Sequence, residues 1–512
     1  MRTRTPSHTP ARSLAGPAAF ALAAGCFWLF AACDGDRHAL PTAVRPGTGA
    51  PAVGAAAVEF PNRSVTPALV KNVMPGVAVS TLLSSDDTLP GSPNWVFGGS
   101  TDGAGLIRNA DNTFTLLVNN EDNWSVSRVT LDATFKPVAG EYVVNSDNGM
   151  ARLCSATLAT PAEHGFGPLF ITAGESSVES MIRAVDPFGA PNTSRPLTAF
   201  GRWSAENAVP LPQAAYPGKT VVVIGDDDSG AFGGQVALYV SNTVGDLDNG
   251  NLYVLSRGPD ATRETRMRAG VAYPVTFQQI TDQKALTGAQ INQRARDLSA
   301  VAFGRVEDVD YRKGGGANGR QVFFNVTGQD STGVNADYSR SKYGRTYRLT
   351  LDPANPLRGT LEVVLDGDDR AGPARLFQNP DNIVATENYL YLEEDPNEYG
   401  NETHDAYVYQ YNLATRELKV VLELDHHRDA PDAAKYNTRG QGDYAFASSK
   451  RGSWESSGML DVSEQTGQPG TFLIGVQAHT WRAARYRGPD AGTLRAAEDQ
   501  ASQLLVLRNL PR

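Results

Sequence analysis

The chain has 512 residues, 41% of them hydrophobic and 20% charged, with a formal net charge of −10. That length allows one large β domain or two ordinary ones, with apolar content enough for a sizeable core. The acidic balance argues against nucleic acid as a partner. It leaves anionic small molecules open, because bound cations reverse the local field.

Residues 1–33 read as an export signal. Arg2, Arg4 and Arg12 give a positive start, and Leu14 to Ala32 is apolar and rich in small residues. The stretch ends Phe30-Ala31-Ala32-Cys33. That resembles a bacterial lipoprotein cleavage site with Cys33 as the lipidated residue, although Phe30 stands where leucine is usual. Cys26, after Ala23-Ala24-Gly25, is a second candidate. An ordinary secretory signal or an uncleaved anchor is the plain alternative. Residues 34–72, rich in Pro, Gly and Ala, read as a tether. The expected location is the bacterial cell envelope, lipid-anchored and facing the periplasm or exterior. Cleavage before Cys33 leaves Cys154 as the lone thiol of the body, unable to form an intramolecular disulfide.

From residue 73 the texture changes. Short β-branched and aromatic runs alternate with Gly, Asn, Asp and Pro clusters: Phe114–Val118, Glu141–Val144, Leu169–Thr172, Thr220–Ile224, Val236–Val240 and Leu252–Leu255. Further runs are Val322–Val326, Thr346–Leu351, Leu361–Leu365, Ala406–Tyr411 and Phe472–Val476. Evenly spaced short strands with turn punctuation predict an all-β fold. Over more than 400 residues, a β-propeller of about six blades is the economical closure, since radial repetition protects strand edges. Residues 73–512 are therefore expected to form a single propeller domain. Thr287 to Ala300 breaks the pattern with helical composition, Ile291, Ala295 and Leu298 sharing a face, and reads as a helical insertion. Gly314 to Gly319 reads as a loop.

Seven acid-bearing stretches recur, most of them at strand ends. They are Asn119–Asp122, Thr172–Glu175, Trp203–Asn207, Gly225–Asp228, Phe303–Asp308, the turn Pro380-Asp381-Asn382, and Glu393–Asp395. Each alone is an ordinary surface turn. In a propeller, strand ends of successive blades surround the central channel, and acids crowded there need a cation to stay ionised. Gly245–Gly250 reads as a hairpin turn, with a calcium loop as the alternative. Cys154 reads as a buried apolar cysteine or as a thiolate ligand to a softer metal such as iron.

In this order the stretches resemble the motifs of the PhoX-type alkaline phosphatases, calcium- and iron-dependent β-propeller enzymes. Cys154 followed by Leu169–Glu175 resembles the family's iron-ligating cysteine ahead of a strand ending in Thr-Cys-Glu-Glu. Gly201–Glu206 resembles its Gly-Arg-Phe-x-His-Glu, and Gly225–Asp228 its Gly-Asp-Asp turn. Arg305-Val306-Glu307 resembles its Arg-Pro-Glu. Pro380-Asp381-Asn382 with Glu394-Asp395 resembles Pro-Asp-Asn followed by Glu-Asp. Val476–His479 resembles its late Val-Gln-His. The similarity spans roughly residues 115 to 480. Departures are Asn120 for a histidine, Gly165-Phe166-Gly167 for Trp-Gly-Thr, Val306 for the proline and Ser176 for a second glutamate.

The resemblance implies hydrolysis of phosphate esters at a calcium/iron cluster in the channel of a monomeric enzyme acting on a small phosphorylated substrate. It implies Cys154 as iron ligand, and Glu175, Glu206, Asp226, Glu307, Asp381 and Glu394 as further metal ligands. Arg305 or Arg375 would contact phosphate, and His479 would act in acid/base chemistry or support a ligand. Each arginine can equally be a surface cation, and His479 a structural histidine. A non-catalytic, calcium-stabilised propeller that binds a partner is the competing reading. A lactonase-like propeller is a third, against which Cys154 argues, because a lone calcium site needs no thiolate.

Overall fold

The computed structural model describes residues 58–397, 399–438 and 453–512. Cys26, Cys33, the export signal and most of the expected tether lie outside the described residues.

The fold is all-β, as expected, and its strands run as a succession of antiparallel meanders. Six strands line the centre, each followed by the further strands of its blade: Thr101–Arg108, Leu153–Ala159, Ala205–Pro210, Val306–Tyr311, Pro380–Ala385 and Glu455–Asp461. Each packs beside the next, and the last packs beside the first, which closes a propeller. Hydrogen bonding gives five sheets, because the third and fourth blades are fused into one nine-stranded sheet. There the outer strands Ala272–Ile280 and Arg358–Asp366 pair edge to edge. Radial closure leaves few free strand edges.

The N-terminal segment seals the ring. Ala78–Ser84 forms the outer strand of the sixth blade against Gln500–Arg508, so the two ends of the body share one sheet. Val70–Asn72 adds a strand to the fifth blade. Val58 and Phe60 are also buried. The folded body therefore starts before residue 73, the boundary expected from composition, because these few apolar residues have a blade face to cover.

The burial pattern explains the sequence texture. Thr220–Asp226 is buried on both faces: Val221 and Val223 join one apolar cluster, Val222 and Ile224 another. A strand sandwiched between two layers reads as a continuous apolar run instead of an alternation. The outer strand Arg358–Asp366 alternates, since one of its faces meets solvent.

The helix expected near residues 287–300 is Gly288–Asp297, opened by a full capping box between Thr287 and Gln290. Ile291 and Ala295 are buried against the third blade, and Leu298 packs on the same cluster. Gly245–Gly250 is a hairpin turn: Asp246 Oδ1 accepts from the amides of Asp248 and Asn249, and Oδ2 from Ser241 Oγ. With its oxygens occupied in this way, Asp246 closes the turn itself. Among the described residues no helix is long and apolar enough to cross a membrane.

Candidate metal centre

All six central strands carry an irregularity in their pairing. In five of them it spans the strand's second residue: Asp102, Cys154, Glu206, Glu307 and Asp381. A bulge inserts an unpaired residue and re-aims its side chain. Here each bulge turns one ligand-type side chain toward the channel. Glu455, the first residue of the sixth central strand, joins them. A second tier follows the adjacent strand in the first, second and fifth blades. Glu121, Glu175 and Asp395 stand immediately after Phe114–Asn120, Leu169–Gly174 and Tyr389–Glu394. All nine side chains line one cavity of about 350 Å³.

Within this set, donor atoms lie within 4.8 Å of one another in five overlapping groups. Two contain the thiol: Asp102 with Cys154 and Glu206, and Glu121 with Cys154 and Glu175. Three hold carboxylates alone: Asp102 with Glu121 and Glu455, Glu206 with Glu307 and Asp381, and Asp381 with Asp395 and Glu455. Cys154 Sγ lies 2.8 Å from Glu175 Oε2. Glu206 Oε1 accepts from the Ser155 amide at 3.0 Å, and Asp102 Oδ1 from Asn382 Nδ2 at 3.1 Å. The first of these contacts lies within the second blade, the second joins the second and third blades, and the third reaches from the fifth blade to the first. Asp381 Oδ1 is buried without a hydrogen-bond donor among the described residues.

The electrostatics are one-sided. Arg152 Nη1 lies 3.3 Å from Glu121 and 3.7 Å from Glu175. Arg305 Nη2 lies 2.9 Å from Glu307, while its Nε donates to Asp227 at 2.8 Å and its Nη1 to Asn397 at 3.0 Å. Arg482 and Arg495 also border the cavity but are engaged by Glu498, and by Asp499 and Asp122 respectively. Burial, reinforced by mutual repulsion, pushes Glu175 up to about 8. It holds Asp102, Glu206, Glu307, Asp381 and Glu455 well above the ordinary carboxylate range. The Cys154 thiol is raised in the same way. Groups this close cannot all ionise unless cations enter.

The donor chemistry fits two kinds of cation. The all-carboxylate groups suit a hard ion such as calcium, which takes six to eight oxygens. The groups containing Cys154 suit a softer transition metal such as iron.

His479 is oriented by a relay. Gln500 Nε2 donates to Asp122 Oδ1 at 2.9 Å, which turns Gln500 Oε1 toward His479 Nδ1, 2.9 Å away. That carbonyl can only accept, so Nδ1 carries the proton. Nε2 then faces Glu455, 3.6 Å away at the cavity wall.

The structure thus gathers Cys154, Glu175, Glu206, Glu307, Asp381, Arg305 and His479 around one cavity. Three expected residues lie elsewhere. Arg375 is exposed in a turn and does not line the cavity. Glu394 faces the blade interior, accepting from the amides of Gln378 and Tyr407, from Tyr409 Oη and from His404 Nε2. Asp226 is fully buried and does not line the cavity either. Asp102, Glu121, Asp395 and Glu455 complete the cluster instead. Position could have found them: each opens a central strand or directly follows its neighbour.

A family model described as alkaline phosphatase PhoX matches residues 180–434. The chain belongs to the PhoX alkaline phosphatase family. The matched PhoX segment holds Glu206, Glu307, Asp381 and Asp395, while Asp102, Glu121, Cys154, Glu175 and Glu455 lie outside it. Among solved structures, the chain is similar to Pseudomonas fluorescens PhoX in complex with vanadate, a transition state analogue. That match has a TM-score of 0.59 and 14% identity, covering 88% of this chain and 98% of the other. The α-L-arabinofuranosidase Arb93a of Fusarium graminearum matches at TM-score 0.38 and 10% identity, covering 84% and 98%. Regucalcin of Agrobacterium tumefaciens, a calcium-binding protein, matches at 0.33 and 11%, covering 81% and 92%. No curated protein sequence matches the chain.

Proposed function

We propose that this PhoX-family chain hydrolyses phosphate monoesters at the channel cluster, with calcium and iron as its metals. The observation that carries the reading is the convergence of one thiol and eight carboxylates, from the starts of the central strands and the ends of their neighbours, on one cavity. Cys154 with Glu175, Glu121, Asp102 and Glu206 would hold iron. Glu206, Glu307, Asp381, Asp395 and Glu455 would hold calcium. Such ions supply charge neutralisation for the phosphate oxygens and lower the pKa of a bound water.

The chain's own residues have distinct parts. Arg305 sits at a φ of 71°, in the left-handed region that a non-glycine residue enters at a cost. Asp227 and Asn397 hold its guanidinium at the cavity, where a planar fork suits two phosphate oxygens. Arg152 adds positive charge on the Glu121 side. His479, with its Nδ1 proton directed to Gln500, presents Nε2 as the atom able to take or return a proton. Export and lipidation at Cys33 would place this activity at the cell surface.

One feature favours the competing reading of a calcium-stabilised binding propeller. Asn120, which stands where the family has histidine, donates to Ser127 Oγ at 2.8 Å within its own blade and does not line the cavity. Hydrolysis of an aryl phosphate by the full chain, with calcium and with a chelator, separates the two. Calcium-dependent turnover lost in Glu307→Ala supports the phosphatase. A folded, metal-loaded protein without turnover supports the binding propeller.

A further inference from the structure

Asp226 ends the strand Thr220–Asp226 in full burial, and its side-chain oxygens make no well-formed hydrogen bond among the described residues, the backbone amides of Gln235 and Ser204 being the donors that act on them. Its environment is built from three elements. Across the hairpin, the Asp226 amide donates to the Gln235 carbonyl at 3.0 Å, which places the two residues opposite each other. Strand alternation puts Asp226 on the face of Val222 and Ile224, and Gln235 on the face of Ala237 and Tyr239. Those four pack in one cluster with Ile291 and Ala295 of the helix Gly288–Asp297. Both side chains therefore face the helix, away from the channel.

Asn292 follows Ile291 and is buried there. Its Nδ2 donates to Asp228 Oδ2 at 3.2 Å, while its Oδ1 has no donor. Gln235 shows the same polarity. Its Nε2 donates to the carbonyls of Gly233 and Phe232, at 3.0 and 3.4 Å, which fixes Oε1 as the free end, also without a donor. Asp228 is close enough that its charge acts on Asp226. Arg340, the basic group whose field reaches Asp228, directs Nη1 and Nη2 to the carbonyls of Gly230 and Ala231 and to Gln329, while its Nε is buried without an acceptor among the described residues.

Two carboxylates and two amide oxygens thus gather behind the third blade, with four of their buried oxygens making no well-formed hydrogen bond among the described residues. An unpartnered buried polar atom is costly, and several of one polarity at one place call for a shared positive partner. We propose that Asp226, Asp228, Gln235 and Asn292 form a calcium site separate from the channel cluster. An all-oxygen set of charge −2 suits a divalent hard cation and not a thiophilic one. The site pins the helix to the third blade. It also steadies Asp227, the next residue, which turns to the other side and holds Arg305.

The test is calcium content by elemental analysis of the full chain, after chelation and reloading, with thermal melting alongside. Asp226→Asn and Asn292→Ala are each compared with Glu455→Gln, which lies in the channel. Each of the first two variants is expected to lose one calcium equivalent relative to wild type, together with part of the calcium-dependent rise in Tm. Either loss should add to that of Glu455→Gln in a double variant, since the sites are separate. Asn292→Ala introduces a good helix former and serves if Asp226→Asn fails to fold. Unchanged calcium content in a folded Asn292→Ala or Asp226→Asn overturns the proposal and leaves Asp226 as a protonated buried acid. These readouts do not depend on turnover, so they stand apart from the phosphatase reading.

Discussion

Glu394 and Asp395 are consecutive residues that serve opposite sides of the fifth blade. Glu394 is fully buried and accepts four hydrogen bonds within the blade. Asp395 lies in the channel beside Asp381 and Glu455. The strand's period of two separates the roles.

Substitutions at the two positions should therefore fail differently. Glu394→Ala strips the acceptor from several buried donors, each worth about 1–3 kcal/mol when left unmade. It should destabilise the fold by roughly 3 kcal/mol or more. Asp395→Asn should leave the melting temperature of the chelated protein close to wild type but reduce bound calcium and turnover. Thermal melts and metal content on both variants check this. A stable Glu394→Ala protein that has lost metal would reverse the assignment.

The same one-residue alternation explains what the sequence reveals and what it hides. Glu206, Glu307 and Asp381 are legible because each sits in a run of turn and acid residues that opens a central strand. Within Gly225–Asp228 and Glu393–Asp395, composition cannot say which acid faces the channel. Only the strand's last paired residue decides, and that is set by tertiary pairing: Asp226 and Glu394 end their strands and turn inward to the blade. Asp102 and Glu455 are hidden for another reason. Each stands alone, in Thr101-Asp102-Gly103 and Trp454-Glu455-Ser456, so a search for clustered acids passes over them. Their proximity to the others comes from radial closure and bulges, which leave no local mark in the chain. The all-β texture was legible because blades buried on both faces demand apolar runs. The fusion of the third and fourth blades was not, because edge pairing of outer strands needs no special residue.

Removing metal should make stability fall as pH rises. The Glu175 carboxyl moves from 4.5 up to about 8 on folding, chiefly through burial. Between those values the folded chain holds a proton that the unfolded chain has released, so unfolding becomes easier with rising pH. Asp102, Glu206, Glu307, Asp381 and Glu455 shift in the same direction. The chelated protein should lose on the order of a few kcal/mol between about pH 5 and pH 8. Added calcium should remove most of that loss, because the cation takes the place of the protons. Melting curves across this range, with chelator and with calcium, test it. A chelated protein that gains stability toward pH 8 would contradict the crowding.

Arg305→Lys tests the guanidinium fork. Lysine keeps the charge but cannot engage Asp227, Asn397 and a phosphate in one plane. A lost charge-assisted hydrogen bond is worth about 1.5–3 kcal/mol, so kcat/KM for an aryl phosphate should drop roughly 10- to 100-fold. Metal content should stay unchanged, since Arg305 is no ligand. Equal kcat/KM in wild type and variant would remove Arg305 from phosphate binding.

Cys154→Ser tests whether the cluster holds two kinds of metal, as proposed. The thiol shares one pair of carboxylates, Asp102 and Glu206, and a second pair, Glu121 and Glu175. Serine keeps the size of the side chain and its burial but offers a hydroxyl that holds its proton far more tightly than a thiol does. Iron should therefore be lost or strongly reduced, and turnover with it. The all-carboxylate groups do not include Cys154, so calcium should still bind and still raise the melting temperature. Elemental analysis of iron and calcium in the same preparation, with thermal melts, gives the answer. Loss of iron with calcium retained assigns the thiol to the softer metal. Retention of iron in Cys154→Ser would place that ion on carboxylates alone and leave Cys154 as a buried, protonated side chain.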